Sequence, residues 1–237
     1  MGSEASRPDI SIIVPTLNEG EDVERALSAL VSLREDGAEI VLADGGSADR
    51  TVELARPLCD RLVVAPRGRA TQMNAGAAAA SGDILLFLHL DTSLPIDALA
   101  RIRSRLRPTG RVWGRFDVRI LGAHPLLPAV AALMNFRSRV TGIATGDQAI
   151  FVRRRVFEAI GSFPEQPLME DIEFSTRMRR IQRPCCLRQK VRTSGRRWDD
   201  HGSFRTILLM WRLRIAYALG ADTTRLRALY VSSGRIR

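Results

Sequence analysis

Four short apolar runs constrain the fold of this chain more than any other feature of its sequence. They cover residues 10–14, 39–43, 61–65 and 84–88, and each is rich in Ile, Val or Leu, as buried parallel strands are. The segments between them, 20–34, 48–57 and 70–80, have helical character. This repeated strand–helix order predicts an α/β fold built on a parallel, right-handedly wound sheet.

The second half of the chain has a different pattern, which predicts a mixed sheet. Residues 112–120 alternate between polar and apolar types and indicate an antiparallel or edge strand. The other expected elements are helices over 95–107, 126–139, 171–181 and 204–219 and a strand over 148–152. Because no internal repeat or linker is evident, we expect one domain over 9–237 behind a disordered tail, 1–8.

Turns with polar side chains follow three of the four apolar runs. The candidate binding residues in these turns are Pro15, Thr16, Glu19, Asp44, His89 and Asp91. Open α/β sheets bind ligands outside the carboxyl ends of their strands, and a carboxylate there can accept hydrogen bonds from a ligand. Each turn taken alone is also typical of an ordinary helix cap. Together the three turns predict a binding site along one edge of the sheet.

The composition is basic, with 36 Lys and Arg against 26 Asp and Glu and a net charge of +10. That balance favours phosphate-rich partners, although an excess of Arg over Lys also fits a high-GC codon bias. Aromatic residues make up only 5% of the chain, and it carries no zinc or helix-turn-helix signature. We therefore expect no nucleic-acid partner.

Cysteine usage and hydropathy bear on the compartment. The three cysteines, Cys59, Cys185 and Cys186, have no metal-ligand spacing, and we expect a reducing cytoplasm. The first ten residues hold no apolar signal region, and no uninterrupted apolar run is long enough to span a bilayer. Residues 204–219 carry apolar side chains near helical spacing, flanked by arginines. Such a helix is typical of a protein core, and it also suits peripheral contact with the inner face of the cell membrane.

Several short motifs resemble those of the family 2 glycosyltransferases, and the likeness runs from residue 10 to residue 198. Pro15-Thr16-Leu17-Asn18-Glu19 is similar to the family's first loop, and Asp44-Gly45-Gly46-Ser47 to its second. Asn74-Ala75-Gly76 is similar to a later segment, and His89-Leu90-Asp91 stands where the family has Asp-x-Asp. The resemblance implies a GT-A fold, a single Rossmann-like domain with a mostly parallel mixed sheet flanked by helices. The likeness is greatest to a small bacterial subgroup described as glycosyltransferase-like.

The resemblance also implies a donor site for a nucleotide-diphosphate sugar, with a UDP-sugar favoured. It assigns the base and ribose to Pro15, Thr16, Glu19 and Asp44, and a divalent cation, Mn²⁺ or Mg²⁺, to Asp91. His89 departs from the family pattern, and an imidazole suits Mn²⁺ somewhat better than Mg²⁺. Arg69 precedes a predicted helix, where it could approach phosphate or serve only as surface charge.

The remaining motifs are similar to the acceptor side of these enzymes. Glu170-Asp171 matches the family's Glu-Asp motif, which implies that Asp171 is the general base of an inverting reaction. Acidic residues at this place would equally complement the dipole of the following helix. Asp147 falls in the acceptor-side loop. Arg196, Arg197 and Trp198 resemble an Arg-Trp motif that could contact diphosphate and acceptor, with a solvated basic loop as the alternative.

The leading prediction is therefore an inverting glycosyltransferase with an acceptor that the sequence does not specify. A nucleotidyltransferase that makes sugar nucleotides is the nearest alternative, but it needs a basic Gly-rich loop after the first strand, and residues 15–20 hold no basic side chain. A non-catalytic basic nucleic-acid binder is the alternative from another class. The chain also lacks the glycine signatures of dinucleotide-binding oxidoreductases and NTPases.

Overall fold

The computed structural model describes residues 8–107, 110–196, 199 and 203–232. One eight-stranded sheet forms its centre. The strands are β1 (Ile10–Thr16), β2 (Ala38–Asp44), β3 (Arg61–Val64), β4 (Ile84–Phe87), β5 (Thr92–Ser93), β6 (Trp113–Leu121), β7 (Phe151–Arg153) and β8 (Cys185–Ser194). Their spatial order is β3-β2-β1-β4-β7-β6-β8-β5.

Helices cover both faces of this sheet. They are α1 (Val23–Glu35), α2 (Thr51–Ala55), α3 (Arg69–Ala79), α4 (Ala98–Leu106), α5 (Leu127–Thr141), α6 (Arg154–Ala159), α7 (Glu170–Ile181), α8 (Ser203–Ala218) and α9 (Thr223–Ser232). Short 3-10 turns lie at Arg56–Leu58 and Gly146–Gln148. No helix among the described residues is long and apolar enough to cross a membrane.

The first four strands confirm the predicted parallel sheet. β1 pairs in parallel with β2 on one side and with β4 on the other, and β2 pairs in parallel with β3. Side chains of β1 alternate between the two faces, with Ile10 and Ile12 in the core under α1 and Ile13 in the core under α3. This period of two follows from the pleat of the strand, and burial on both faces explains the nearly continuous apolar run.

The second half of the sheet departs from the sequence prediction in one respect. β6 is antiparallel to β7, which confirms the antiparallel alternative predicted for residues 112–120. It is also parallel to β8, so it is an interior strand and the edge alternative is wrong. Two polar side chains of its alternating pattern, Arg115 and Asp117, are paired inside the fold, whereas Arg119 is exposed. Arg115, which is fully buried, bonds to Asp117, and Asp117 also pairs with Arg139 of α5.

Three other elements differ in extent from the prediction. The predicted helix 48–57 is shortened to α2 followed by a 3-10 turn at Pro57. The predicted strand 148–152 begins in a 3-10 turn, and only Phe151–Arg153 pairs as β7. The predicted helix 204–219 corresponds to α8, which α9 follows. The predicted tail, residues 1–8, lies outside the described part of the chain except for residue 8.

Asn74 and Gly76 serve packing in this fold. A methyl group on Gly76 would lie 2.6 Å from the Ile13 Cγ2 atom, so glycine allows α3 to approach β1 closely. The Asn74 amide donates to the Phe163 carbonyl and accepts from the Phe163 N–H, which fastens α3 to the loop before α7. The Asn74-Ala75-Gly76 segment therefore fixes the position of α3, the helix that packs against the sheet and begins at Arg69.

Candidate active site

A cavity of about 350 Å³ opens at the carboxyl ends of β1 and β4. Seven of the residues singled out from the sequence line it: Pro15, Glu19, Arg69, His89, Asp91, Asp147 and Arg196. They come from five separate segments of the chain, which the sheet order brings to one edge. Thr16, Asp44, Glu170 and Asp171 are not part of this lining. The first two are the last residues of β1 and β2, and the other two lie at the start of α7.

The loops after β1 and β2 are joined to each other. The Asn18 N–H donates to the Ser47 hydroxyl, and the Asn18 side-chain oxygen accepts from the Ala48 N–H. Asp49 accepts from the Gly20 N–H and from the Thr51 side chain and backbone, and these hydrogen bonds lower its pKa. The two predicted nucleotide loops therefore form one rigid unit.

Asp44 and Thr16 are buried within this unit, at 1% and 2% exposure. The Asp44 carboxylate accepts from the backbone N–H groups of Gly46 and Ser47, at 2.9 and 2.8 Å, and from the Ser47 hydroxyl. Gln72 of α3 donates to the backbone carbonyls of Thr16 and Ala43, which ties α3 to the ends of β1 and β2. In the described structure, the Asp44 carboxylate therefore stabilises the turn that follows β2.

Asp91 is an exposed carboxylate in the cavity wall. Its Oδ1 atom accepts from the Thr92 hydroxyl at 3.1 Å and lies 3.5 Å from the Thr193 hydroxyl on β8. Oxygen ligands of this kind suit Mg²⁺ or Mn²⁺. Within the described residues no group of three or more His, Cys, Asp or Glu side chains could enclose a metal. A cation at Asp91 would therefore need most of its ligands from a bound molecule or from water.

His89 pairs with Asp147, at 3.3 Å between Nδ1 and Oδ1. Its Nε2 atom is buried without a hydrogen-bond partner among the described residues. The imidazole edge lies against Gly146, where a methyl group would overlap the Cε1 and Nε2 atoms. This edge is therefore packed against backbone, and Nδ1 is the nitrogen that faces a carboxylate. The predicted metal role of His89 stays a prediction.

Glu170 and Asp171 begin α7 after Met169, whose φ of 68° puts it in the left-handed region. The Asp171 Oδ2 atom accepts from the Gly146 N–H at 3.0 Å, and Oδ1 accepts from the Ile172 N–H at 2.7 Å. Removal from water raises the pKa of Asp171 despite these bonds, and the Asp147 charge raises it further. Burial and the Asp171 charge likewise raise the pKa of Glu170, which is 7% exposed.

Two arginines bring positive charge to the rim. Arg69 is exposed at the cavity wall; partial removal from water lowers its pKa, but the negative charges of Glu170, Asp147 and Asp171 raise the pKa overall. Arg196 forms an ion pair with Asp22 at 2.8 Å, so the end of β8 reaches the chain just after β1. Burial raises the pKa of Glu19, which Arg196 partly counteracts. Arg197 and Trp198 lie outside the described residues.

The sequence interpretation missed several residues of the cavity wall. They are Leu90, Ile120, Met134, Thr193, Ser194, Thr206, Met210 and Tyr230. Thr193 and Ser194 belong to β8, and the alternation of Leu187, Val191 and Thr193 with charged residues was a usable strand signal. No comparable signal marks Tyr230, because its place depends on how α9 packs against α8.

The mixed sheet, with a cavity at its carboxyl edge and helices on both faces, places the protein in the GT-A class of α/β folds. A mannosyltransferase from Pyrobaculum calidifontis, solved with GDP-Man and Mn²⁺, superposes with a TM-score of 0.64 at 22% identity, over 91% of this chain and 63% of that one. Glucosyl-3-phosphoglycerate synthase from Mycobacterium tuberculosis, solved with Mn²⁺, UDP and phosphoglyceric acid, gives 0.59 at 20% identity, over 99% and 81%. At these identities the likeness establishes the fold.

Comparison of the sequence with known proteins identifies the family. The model of glycosyl transferase family 2 matches residues 11–161, so the chain belongs to this family. A PGL/p-HBAD biosynthesis glycosyltransferase of Mycobacterium bovis is 33% identical over 172 residues, which cover 66% of this chain. The chain spans 63% of the length of that relative.

Proposed function

We propose that the chain is an inverting glycosyltransferase that takes a sugar from a nucleotide-diphosphate donor, with a UDP-sugar favoured. The observation that carries this proposal is the convergence on one cavity of the loop after β1, the exposed Asp91 carboxylate and the Gly146-Asp147 turn bonded to Asp171. Solved structures of the same fold hold GDP-Man or UDP together with Mn²⁺, which supports this donor class.

The donor side is assigned to the joined loops and to Asp91. Pro15 and Glu19 line the cavity where a base and ribose would lie, while Thr16 and Asp44 hold the loops in place from below. Asp91 offers its carboxylate to a divalent cation, Mn²⁺ or Mg²⁺, which when bound neutralises charge on the leaving diphosphate. Arg69 adds a permanent positive charge on the same wall.

Asp171 is assigned the role of general base. The acceptor hydroxyl gives its proton to the Asp171 carboxylate as its oxygen bonds to the anomeric carbon, and the bond from that carbon to the diphosphate oxygen breaks on the opposite face. A raised pKa brings a carboxylate closer to the basicity that this step requires. The N–H bonds from Gly146 and Ile172 hold the group in one orientation.

Asp171→Asn tests this assignment. We expect transfer to fall by about 100-fold or more, the typical contribution of a general base, while donor affinity measured by calorimetry with Mn²⁺ stays near the wild-type value. Asp147→Asn is the informative comparison, because Asp147 also lines the cavity. Full transfer in Asp171→Asn together with loss in Asp147→Asn would move the role to Asp147. Asp97→Asn, at the start of α4, is the charge-matched control.

A donor panel tests the function as a whole. UDP-, GDP- and dTDP-sugars are screened for thermal stabilisation and slow hydrolysis with Mn²⁺ or Mg²⁺, since a bound ligand stabilises the folded state. We expect one class of donor to respond in a metal-dependent way and Asp91→Ala to remove that response. A flat result with every donor contradicts the transferase proposal.

We further propose peripheral contact with the inner face of the cell membrane through residues 204–219. Leu208, Trp211 and Ile215 of α8, and Leu219 directly after it, are 48–82% exposed rather than buried in a core. Arg205 and Arg212 on the same helix are also exposed, which suits an anionic leaflet.

Co-sedimentation with anionic vesicles tests this contact. It is expected to be lost in Trp211→Ala/Ile215→Ala and retained in Val64→Ala/Ile96→Ala, a pair of apolar residues exposed elsewhere on the surface. No sedimentation of the wild type at low salt contradicts the proposal.

A further inference from the structure

A second pocket, of about 120 Å³, lies between α5 and α8 and adjoins the candidate active site. Its wall is formed by Val130, Leu133, Met134, Arg137, Asp147, Ile207, Met210, Trp211 and Arg214. Met134, Asp147 and Met210 also line the larger cavity, so the two spaces share a wall. None of the donor-side residues Pro15, Glu19 or Asp91 belongs to the smaller pocket.

Arg137 is the unusual member of this wall. Its Nε and Nη2 atoms are buried and have no hydrogen-bond partner among the described residues. Burial lowers the pKa of Arg137, and the positive charge of Arg115 lowers it further, while Asp171 partly offsets both. Unlike Arg115, which bonds to Asp117 and to two carbonyl groups, Arg137 has two buried guanidinium nitrogens for which the described residues supply no hydrogen bond, and Asp171 offsets its charge only in part.

A buried guanidinium without a partner lowers the stability of the folded protein unless an anion binds and pairs with it. Arg137 follows Leu133 and Met134 on α5 by one helical turn, so the charge lies at the end of an apolar strip. On α8 the facing residues Ile207, Met210 and Trp211 extend that strip. A ligand matched to this pocket therefore needs an anionic group and an apolar part.

We propose that this pocket binds the acceptor, through a phosphate or carboxylate group that pairs with Arg137 and an apolar portion that lies between α5 and α8. The assignment rests on the proposed transferase function and specifies the chemical class of its acceptor. The shared wall at Asp147, whose neighbour Gly146 bonds to Asp171, puts a molecule in this pocket next to the candidate base. Arginine suits this role because its planar fork binds phosphate or carboxylate with two parallel hydrogen bonds.

Decyl phosphate is the probe, used below its micelle concentration, with inorganic phosphate and 1-decanol as its two separate halves. Binding is measured by calorimetry in the presence of UDP and Mn²⁺. We expect decyl phosphate to bind more tightly than either half, and Arg137→Met to weaken it by about tenfold or more, since a hydrogen bond to a charged group is lost. Arg137→Lys should recover part of the affinity, and Arg155→Met, an exposed arginine of α6, should leave it unchanged.

Thermal unfolding without ligand gives a second readout. Because two buried nitrogens of Arg137 have no hydrogen-bond partner among the described residues, Arg137→Met is expected to raise the Tm while it weakens binding. A purely structural arginine would lower the Tm on removal. Equal affinity of Arg137→Met and wild type for decyl phosphate, or a lower Tm in the variant, overturns the proposal.

Two further measurements distinguish a lipid source of the anion from a soluble one. They also distinguish failure of the acceptor proposal from failure of the proposed transferase function. Vesicles containing phosphatidic acid that compete with decyl phosphate indicate a lipid phosphate, whereas competition by soluble decanoate alone indicates a soluble amphiphile. If UDP-sugar binds with Mn²⁺ but decyl phosphate does not, the acceptor proposal fails and the transferase function stands. If no nucleotide sugar binds, the proposed function fails whatever decyl phosphate does.

Discussion

The backbone of Gly146 contacts two side chains of the candidate site, Asp171 and His89. Its N–H donates to Asp171, and its Cα face supports the His89 ring, which in turn pairs with Asp147. A side chain at this position would displace the ring and with it the turn that orients the candidate base. Glycine is therefore required here for close approach, and a positive φ plays no part.

Gly146→Ala is expected to lower stability by about 1–3 kcal/mol, as overpacking does, and to reduce transfer more than donor binding. Denaturant unfolding and calorimetry with UDP measure the two effects. Gly146→Ala/His89→Ala removes the ring that the methyl group would meet, so stability should return toward that of His89→Ala alone. A Gly146→Ala protein as stable as wild type contradicts the packing described.

The Glu170–Asp171 pair predicts a pH dependence of stability. The pKa of Glu170 is raised in the folded state, so the folded protein binds this proton more tightly than the unfolded chain does. Its stabilising contribution is full below the unfolded pKa of about 4.3 and is lost as the pH rises through the folded pKa. Glu170→Gln should therefore raise the Tm at about pH 8 and leave it nearly unchanged at about pH 4. A Tm gain that is equal at both pH values would show that the Glu170 charge is not responsible.

At this scale the sequence predicted more of the donor side than of the acceptor side. Glu19 and Asp91 follow strands directly, so their place at the sheet edge follows from chain order alone. The pairing of His89 with Asp147 depends on where β4 lies relative to a turn nearly sixty residues later in the chain, which no local pattern contains. The roles given to these residues, and to Asp44, stay predictions.

Among the elements, α5 has the most specific attachment to the sheet. The Asn135 amide donates to the Val118 carbonyl and accepts from the Val118 N–H, at 3.0 and 2.8 Å. The pairing of β6 with β8 shifts register between Phe116 and Asp117, close to this point. Asn135 thus supplies the hydrogen bonds that a regular ladder would have given to Val118.

Asn135→Leu tests the attachment. Both backbone groups of Val118 would be left buried without partners, at about 1–3 kcal/mol each, so we expect the free energy of unfolding to fall by about 2–6 kcal/mol. Ala132→Leu, on the exposed side of the same helix, should change it by less than about 0.5 kcal/mol. Equal effects of the two substitutions in urea unfolding would contradict this role of Asn135.

β8 shows why one strand was missed entirely. Charged residues alternate with Leu187, Val191 and Thr193, so only one face of the strand is buried. Three of the four runs that define the first half, β1, β2 and β4, are buried on both faces or nearly so, and their signal is continuous rather than alternating. The fourth, β3, is partly exposed but still has the continuous apolar sequence Leu62-Val63-Val64. A search for continuous apolar runs favours interior parallel strands and passes over half-exposed ones.

On the scale of the whole molecule, the sheet interleaves the two halves of the chain. β4 pairs with β7, and β5 pairs with β8, so neither residues 10–93 nor residues 113–194 contain a complete set of strand neighbours. The single-domain prediction for residues 9–237 is consistent with this order but stays a prediction.

We expect one cooperative unfolding transition. Trp113 is fully buried in the core and can be isolated in a Trp198→Phe/Trp211→Phe background. Its fluorescence and the far-UV circular dichroism should follow the same urea curve, as two-state unfolding requires. Separate midpoints for the two signals would show that the halves unfold independently.

The contact between β5 and β8 joins the Asp91 carboxylate to a distant part of the chain. The Thr92 and Thr193 hydroxyls are 3.0 Å apart, and both lie beside the Asp91 carboxylate. Thr193 also precedes the segment that leads to Arg196 and its ion pair with Asp22, so the loop after β1 is attached to the same end of β8. Any displacement of the Asp91 carboxylate must therefore be accommodated by β8 as well as by β5, although the two strands lie about a hundred residues apart in the sequence.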